Sequence, residues 1–502
     1  MHRTEGENNV NNLFSDGPPA TILDASWANS IQEEIANVIE RSGLNLKNAG
    51  TDTRDQLWIA LQRLVTPYDV IIGSQEEFND LWVRTSANNY DIKSDYRSVY
   101  IKFISGGYDM TGVLSGGDSY AIFHTNICNN VFFEVGAKID IGDSLSYWYI
   151  DIDDCICENV WLDGDGSVAV AATKSFYIDA YRAKLVKCKT TNRNTNTTFY
   201  AFENVNTDAK ARTCEFHGCI VDDITSSGAT LIGYNYCQNL IRCIAKGMTS
   251  SGATTLIGFS DCESLSNCLS DDLQCSGTAE VSGYKNSEKL IGCAALNIDT
   301  ATLGGTGSIF CFNGCNFLSS CQTKDCDATN VIRAFSNCDG ISGCYALRIT
   351  TTSSTVTGFH TCDSIVGCYV EDLDAPAAGS TCSGFLSCNA IVGCYAKDID
   401  SASNAATVSG FNGCRALSGC YVNGVDQTDA GGINAYGFTG CTYMSGCWAT
   451  NITSTAGTAH GFENCDYGSA IGTDEATNGN NDWMDTVDAQ ITNKVSTPSI
   501  WT

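Results

Sequence analysis

Residues 384–420 read GFLSCNAIVGCYAKDIDSASNAATVSGFNGCRALSGC. The motif Gly-Phe-x-x-Cys-x-x-Leu/Ile-x-x-Cys-Tyr-Ala-x-Asp-Ile opens at Gly384-Phe385 and again at Gly410-Phe411. Clear copies also start at Gly233-Tyr234, Gly258-Phe259, Gly358-Phe359, Gly437-Phe438 and Gly461-Phe462, and degenerate ones at Gly283-Tyr284, Phe312 and Ala334-Phe335. Ten copies about 25 residues apart, between Tyr200 and Cys465, are the mark of a solenoid, in which each unit buries its apolar face only against its neighbours.

Within a copy the spacing from the aromatic to the second Cys is rigid, and length varies only in the segment that follows, as in TSSGATLI, DTATLGGTGSIF and DAPAAGSTCS. Those stretches predict loops or bulges emerging from one edge of the rod. After the second Cys, small apolar residues (Ala245, Ala346, Val370, Ala396, Val422, Ala449) stand at the second position. A further apolar column follows at the fifth, from Ile224 and Met248 to Val425 and Ile452, and the pattern marks a short strand with one buried face. Short strands joined by bends predict a mainly β chain, a right-handed parallel β-helix with Cys, Phe and Leu ladders. A leucine-rich-repeat-like solenoid is the alternative, because it shares the period. The variable segment argues against it, having no helical periodicity and many glycines and β-branched residues.

Twenty-eight cysteines would suggest a disulfide framework in a small secreted domain. Here nineteen of them fall in two columns, nine from Cys237 to Cys465 and ten from Cys219 to Cys447. Stacked strands hold equivalent side chains parallel at about 4.8 Å, whereas a disulfide needs Cβ atoms about 3.8 Å apart and turned together. Reduced thiol ladders filling a narrow core are expected. The six-residue Cys spacing and only five His give no zinc pattern, and neither metal nor cofactor is expected.

The polar column four residues after the second Cys (Asp223, Asp272, Asn297, Asp325, Asp372, Asp398, Asn451) reads as turn residues rather than acid–base groups. No carboxylate pair outside the repeat columns has a context that marks it as catalytic, so no catalytic residue is assigned. Directly after the second Cys the later turns carry Tyr345, Tyr369, Tyr395, Tyr421 and Trp448. Alternation points these residues outward, as a stripe that contacts either a receptor or a sister subunit.

The net charge of −29 disfavours nucleic acid and anionic membranes as partners. No run approaches the roughly 18 apolar residues of a membrane span, and the first residues lack the apolar core of a secretory signal. No membrane insertion or signal-dependent export is expected.

The front of the chain is different in kind. A helix is expected after a cap at Asp24 or Ser26, with Ile31, Ile35, Val38 and Ile39 at helical spacing and Gly43 as its stop. A second is expected from about Asp52 to Leu64. Trp27, Asn29, Gln32-Glu33-Glu34-Ile35, Val38-Ile39, Gly43-Leu44, Gln56-Leu57 and Ala60-Leu61 together resemble the N-terminal module of bacteriophage tail fibres and tailspikes. The resemblance covers residues 20–64, and AGTDTRDQ departs from the family's Asn-rich stretch before the second helix. It implies a module joining the fibre to phage tail or baseplate proteins through residues such as Trp27, Gln32, Glu33 and Ile35. It also implies a homotrimeric shaft that binds a host surface glycan or protein.

The expected organisation is a helical virion-attachment adaptor at 1–65, then a capping helix (Glu76 to Trp82) and irregular first coils of the β-helix at 66–199. Regular repeats follow at 200–472, and a C-terminal cap or trimer clasp at 473–502. The function expected is that of a virion tail fibre or tailspike adhesin, assembled in the host cytoplasm. Alternatives are a polysaccharide depolymerase (a glycoside hydrolase or lyase) on the same scaffold, a structural appendage of a contractile injection system, and a bacterial surface adhesin.

Overall fold

The computed structural model describes residues 70–466 with short interruptions, together with Asn9–Val10, Leu13–Phe14, residues 33–37, Gly472–Thr473 and Trp483–Met484. The chain is a parallel β-solenoid, 67% strand and 4% helix, with about 26 residues per turn. One turn contains Thr381–Leu386, Asn389–Val392 and Tyr395–Ser401, after which Thr407–Asn412 begins the next. These strands belong to three parallel sheets, called sheets 1, 2 and 3 in that order. Sheet 2 has 15 strands, from Val70–Ile72 to Thr442–Ser445, and sheet 3 has 15, from Gly107–Asp109 to Gly472–Thr473. Sheet 1 runs in parallel from Asn89–Ile92 to Trp483–Met484, with Trp82–Ser86 paired antiparallel to its first strand. The leucine-rich-repeat alternative fails, because each turn contributes three strands to three parallel sheets and, among the described residues, the repeats contain no helix.

Register is kept from turn to turn, so each sequence column becomes a ladder. The aromatic column forms an unbroken stack from Phe176 through Phe202 and Tyr234 to Phe462, with ring centroids 4.5–4.9 Å apart and planes within 8°. That separation is the strand spacing itself, and it also suits offset stacking of rings. The glycine before the aromatic is required by a close approach. A Cβ on Gly384 would lie 2.7 Å from the carbonyl oxygen of Gly410 and 3.0 Å from the Cβ of Ala396.

All 27 described cysteines are free and buried, and Cys128 lies outside the described residues. Burial pushes the thiols of Cys219, Cys243 and Cys268 well above their ordinary range, which leaves them protonated and unreactive.

Four residues in a regular turn adopt left-handed backbone. In the turn above they are Ser387 (φ 53°), Ala390 (52°), Gly393 (60°) and Asp398 (49°). Ser387 and Gly393 form the two corners, while Ala390 and Asp398 lie inside strands. The bend at Asp398 explains how Ala396 and Ile399, three residues apart, both reach the core: it resets the in–out alternation, as a bulge does. The Asp/Asn column is therefore made of bend residues, as their chemistry suggests.

The front of the solenoid is closed by a helix at Gln75–Leu81, one residue earlier than the sequence suggests. The Ser74 side chain accepts a hydrogen bond from the Glu77 amide at its N-terminus. Its Phe78 ring lies 5.4 Å from that of Tyr108 and 6.1 Å from that of Phe103. Of the attachment candidates, Glu33 and Ile35 lie half-buried in the helical residues 33–37, and Trp27 and Gln32 lie outside the described residues, as does the second expected helix.

Candidate functional site on the outer face of sheet 3

Tyr345, Tyr369, Tyr395, Tyr421 and Trp448 occupy one register position on successive strands of sheet 3 and are half-buried. The central three form a ring stack, Tyr369 to Tyr395 at 5.2 Å and Tyr395 to Tyr421 at 5.1 Å. Both faces of Tyr395 are therefore covered by neighbouring rings. What this part of the row leaves open is ring edges and hydroxyls, not ring faces. The hydroxyls are already committed to polar neighbours. Tyr345 donates to Gln322, Tyr395 accepts from Asn423 at 3.3 Å, and Tyr421 pairs with Thr450 at 3.0 Å.

Charged groups flank the row. Lys397 bridges Glu371 and Asp398, and Arg348 grips Asp325 through two bonds of 2.5 and 3.0 Å. Asp374, Asp400 and Asp426 form an in-register carboxylate ladder beside it. Burial, and then the charges of Asp426, Asp398, Asp374 and Asp372, push the Asp400 carboxyl up to about 6. Burial also raises the Asp374 carboxyl.

At the other end of the same face lies an open groove of about 450 Å³, lined by Trp161, Lys189, Thr191, Asn192, Asp222, Asp223, Gly247, Thr249 and Asp272. Trp161 is locked in place. Its indole Nε1 donates to Thr191 Oγ1 at 2.8 Å, and the Lys138 and Lys189 amines stand 5.5 and 5.0 Å from its ring centre. The buried Asp163 carboxylate accepts from Lys138 (2.5 Å), Thr191 (2.6 Å) and Asn192 (2.7 Å). Asp222 lies between Lys189 at 3.7 Å and Lys246 at 3.4 Å. Gly247 holds the left-handed position that Asp223 and Asp272 fill on the adjacent rungs, so the missing side chain opens the floor between two carboxylates.

Pairing continues strand by strand from Trp161 through Lys189, Ile220, Ile244, Leu269, Ala294 and Gln322 to Tyr345. The groove and the tyrosine row are thus two ends of one column, with Tyr345 about 34 Å and Trp448 about 53 Å from Trp161 at strand spacing. Sequence reasoning found the row but not Trp161, where Val160 replaces the preceding Cys and the repeat is unrecognisable. Ile220, Ile244, Leu269 and Ala294 occupy the rungs between the two ends of the column, and the ends offer indole and phenol edges with carboxylates, amides and amines beside them. These are the groups that hydrogen-bond sugar hydroxyls and cover the apolar faces of pyranose rings. Among the described residues no group of three or more His, Cys, Asp or Glu is arranged to hold a metal ion, and no helix is long and apolar enough to cross a membrane.

No family model matches this sequence, and no curated protein matches it. Solved structures similar to it include the A-module of a mannuronan C-5 epimerase from Azotobacter vinelandii, at 8% identity and TM-score 0.23, covering 80% of this chain and 92% of that one. A tailspike protein mutant of an E. coli bacteriophage, in complex with a pentasaccharide, is similar at 10% identity and TM-score 0.27, covering 92% and 79%. An alginate lyase of the PL6 family is similar at 8% identity and TM-score 0.19, covering 80% and 88%. At these identities and TM-scores the likenesses assign this chain no activity.

Proposed function

We propose that this chain is a virion adhesin, a bacteriophage tail fibre or tailspike whose rod binds a host-surface glycan along the outer face of sheet 3. The observation that carries the reading is the row Tyr345, Tyr369, Tyr395, Tyr421 and Trp448, one aromatic per turn, on the same face as the Trp161 groove. A polymer of repeating sugars is matched by a surface whose aromatic and polar groups recur once per turn. The charges beside the tyrosine row favour a hydroxylated ligand there over a second copy of the same acidic chain. Residues 1–65 join the rod to the phage tail, with Trp27, Gln32, Glu33 and Ile35 as contact candidates, and residues 473–502 close its far end. The rod works as a homotrimer.

The test is retention of capsular polysaccharide or lipopolysaccharide from candidate hosts by the purified chain. Binding to none of the surface polysaccharides of a host to which the phage particle adsorbs overturns the glycan reading.

A second reading, depolymerisation of the bound glycan, is favoured by the groove. Asp223 and Asp272 stand two rungs apart across Gly247, about 10 Å at strand spacing. That separation is near the upper end for carboxyl pairs that hydrolyse glycosidic bonds with inversion. Release of oligosaccharides from the same polysaccharides, lost in Asp223→Asn and Asp272→Asn, separates an enzyme from an adhesin.

A further inference from the structure

We infer that the outer face of sheet 2, with the glycine corner beside it, is a surface on which copies of this chain pack side by side. The first reason is shape. Sheet 2 is entered and left by two-residue corners, Ser387-Cys388 and Gly393-Cys394 in one turn, and the aromatic-to-Cys and Cys-to-Cys spacings hold through the regular repeats. From Gly233 onward the variation in length falls between sheets 3 and 1, whereas earlier turns also carry longer links between sheets 1 and 2, as from Asn204 to Glu215. Over the repeats from Gly233 onward sheet 2 is therefore the side without long connections, and two rods can lie flush along it.

The second reason is charge. Two chains of −29 repel one another wherever their charged faces meet. On the five strands from Asp339–Ser342 to Thr442–Ser445, charged residues stand only at the entry position, as Asp339, Asp363 and Arg415. The remaining outward positions are Gly, Ala, Ser, Val or Tyr. Val366 and Val392 are in register there, 49% and 47% exposed. At the exit corner nothing lies within 4 Å of where a Cβ on Gly367, Gly393 or Gly419 would be. A flat strip charged only along its entry edge and bearing exposed valines is what a like-charged copy can approach, whereas sheet 3 presents Lys397, Glu371, Arg348 and the aspartate ladder.

The third reason is extent. Nine regular strands of four residues, the four before Asp339 bearing Glu263, Glu288 and Lys289, cover roughly 38 by 13 Å, or about 500 Å² per copy. This is below the roughly 800 Å² per partner of a standard interface, so association through this face alone is concentration-dependent.

The test is sedimentation of the full chain across a concentration series. Species heavier than the 53.6 kDa chain are expected for the unaltered protein. Val366→Asp/Val392→Asp is expected to weaken association by about tenfold or more, since two like charges then face their copies. Ser418→Asp/Ser445→Asp, at exposed serines of the same column, gives the same reading with no apolar residue lost. Leu386→Asp/Asn412→Asp adds equal charge on sheet 1 and should leave association unchanged, with circular dichroism confirming that each variant is folded. A 53.6 kDa species at every concentration, unchanged association in both sheet 2 variants, or equal weakening by the sheet 1 pair each overturns the inference. It does not rest on the glycan reading: a dissociated variant that still binds host polysaccharide leaves that reading intact.

Discussion

Cys388 places its Sγ 3.3 Å from the carbonyl oxygen of Phe359, the aromatic residue one turn earlier in the stack. The relation repeats up the rod, from Cys414 to Phe385 (3.5 Å), Cys441 to Phe411 (3.6 Å) and Cys465 to Phe438 (3.6 Å). The second column does the same with the Leu/Ile ladder, as Cys394 does with the carbonyl of Ile365 at 3.8 Å. A buried thiol is thus both a small apolar filler and a weak donor to a carbonyl of the turn below. That double use explains why Cys, rather than Ala or Ser, is written at these positions.

Thiols committed in this way are not disulfides. Titration in denaturant without reductant should find nearly all of the 28 cysteines free. Fewer than a third free would mean that the columns cross-link, against the geometry a disulfide requires.

The aromatic stack and the glycine beside it should be the most sensitive positions of the rod. Phe385→Ala removes a ring stacked at 4.8 Å on Phe359 and at 4.5 Å on Phe411. Its expected cost is about 3–5 kcal/mol in chemical denaturation. Gly384→Ala pushes a methyl against the Gly410 carbonyl and should cost about 1–3 kcal/mol. A neutral Gly384→Ala would show that neighbouring turns can separate at little cost.

On sheet 3, Tyr369→Ser/Tyr395→Ser/Tyr421→Ser should weaken retention of host polysaccharide at least tenfold, about 1.4 kcal/mol or more. The rod should stay folded, because the lost ring pairs are worth only about 0.5–1.5 kcal/mol each. Trp161→Ala should weaken binding independently if the groove and the row contact one chain of sugar. A triple variant that keeps full binding removes the row from the site, and one that dissociates into single chains assigns it to an interface instead.

The Asp400 carboxyl, held up to about 6 against an ordinary 3.8, gives the rod a pH dependence of defined sign. The folded chain holds this proton more tightly than the unfolded one, so stability falls as pH rises from about 4 to about 6 and the loss is complete above that. The carboxyl keeps solvent contact, which limits the effect to under about 1 kcal/mol. Asp400→Asn should raise the melting temperature at pH 7.5 and leave it unchanged near pH 4. A variant that melts lower at pH 7.5 would show that the carboxylate ladder is held by favourable contacts.

The repeat alone determined the solenoid, because ten copies with fixed aromatic and Cys spacing can bury Phe385, Cys388 and Ile391 only by stacking them on equivalent residues. It also determined the reduced cysteines, from strand spacing, and the outward position of Tyr395, from alternation within a strand. Other features were decided only by the tertiary structure. The left-handed residue at Asp398 resets alternation in mid-strand, so Asp400 faces out and Ser401 faces in, and no count along the sequence yields that without the backbone angle. Whether Tyr395 offers a face or an edge depends on the turns above and below it, and both of its faces are taken. The groove at Trp161 arises where an irregular turn meets the first regular ones, joining Trp161, Lys189, Asp222 and Asp272 from turns far apart in sequence. Periodic burial is a property of one repeat and can be read from one repeat, whereas a surface site is a property of how unlike turns are stacked.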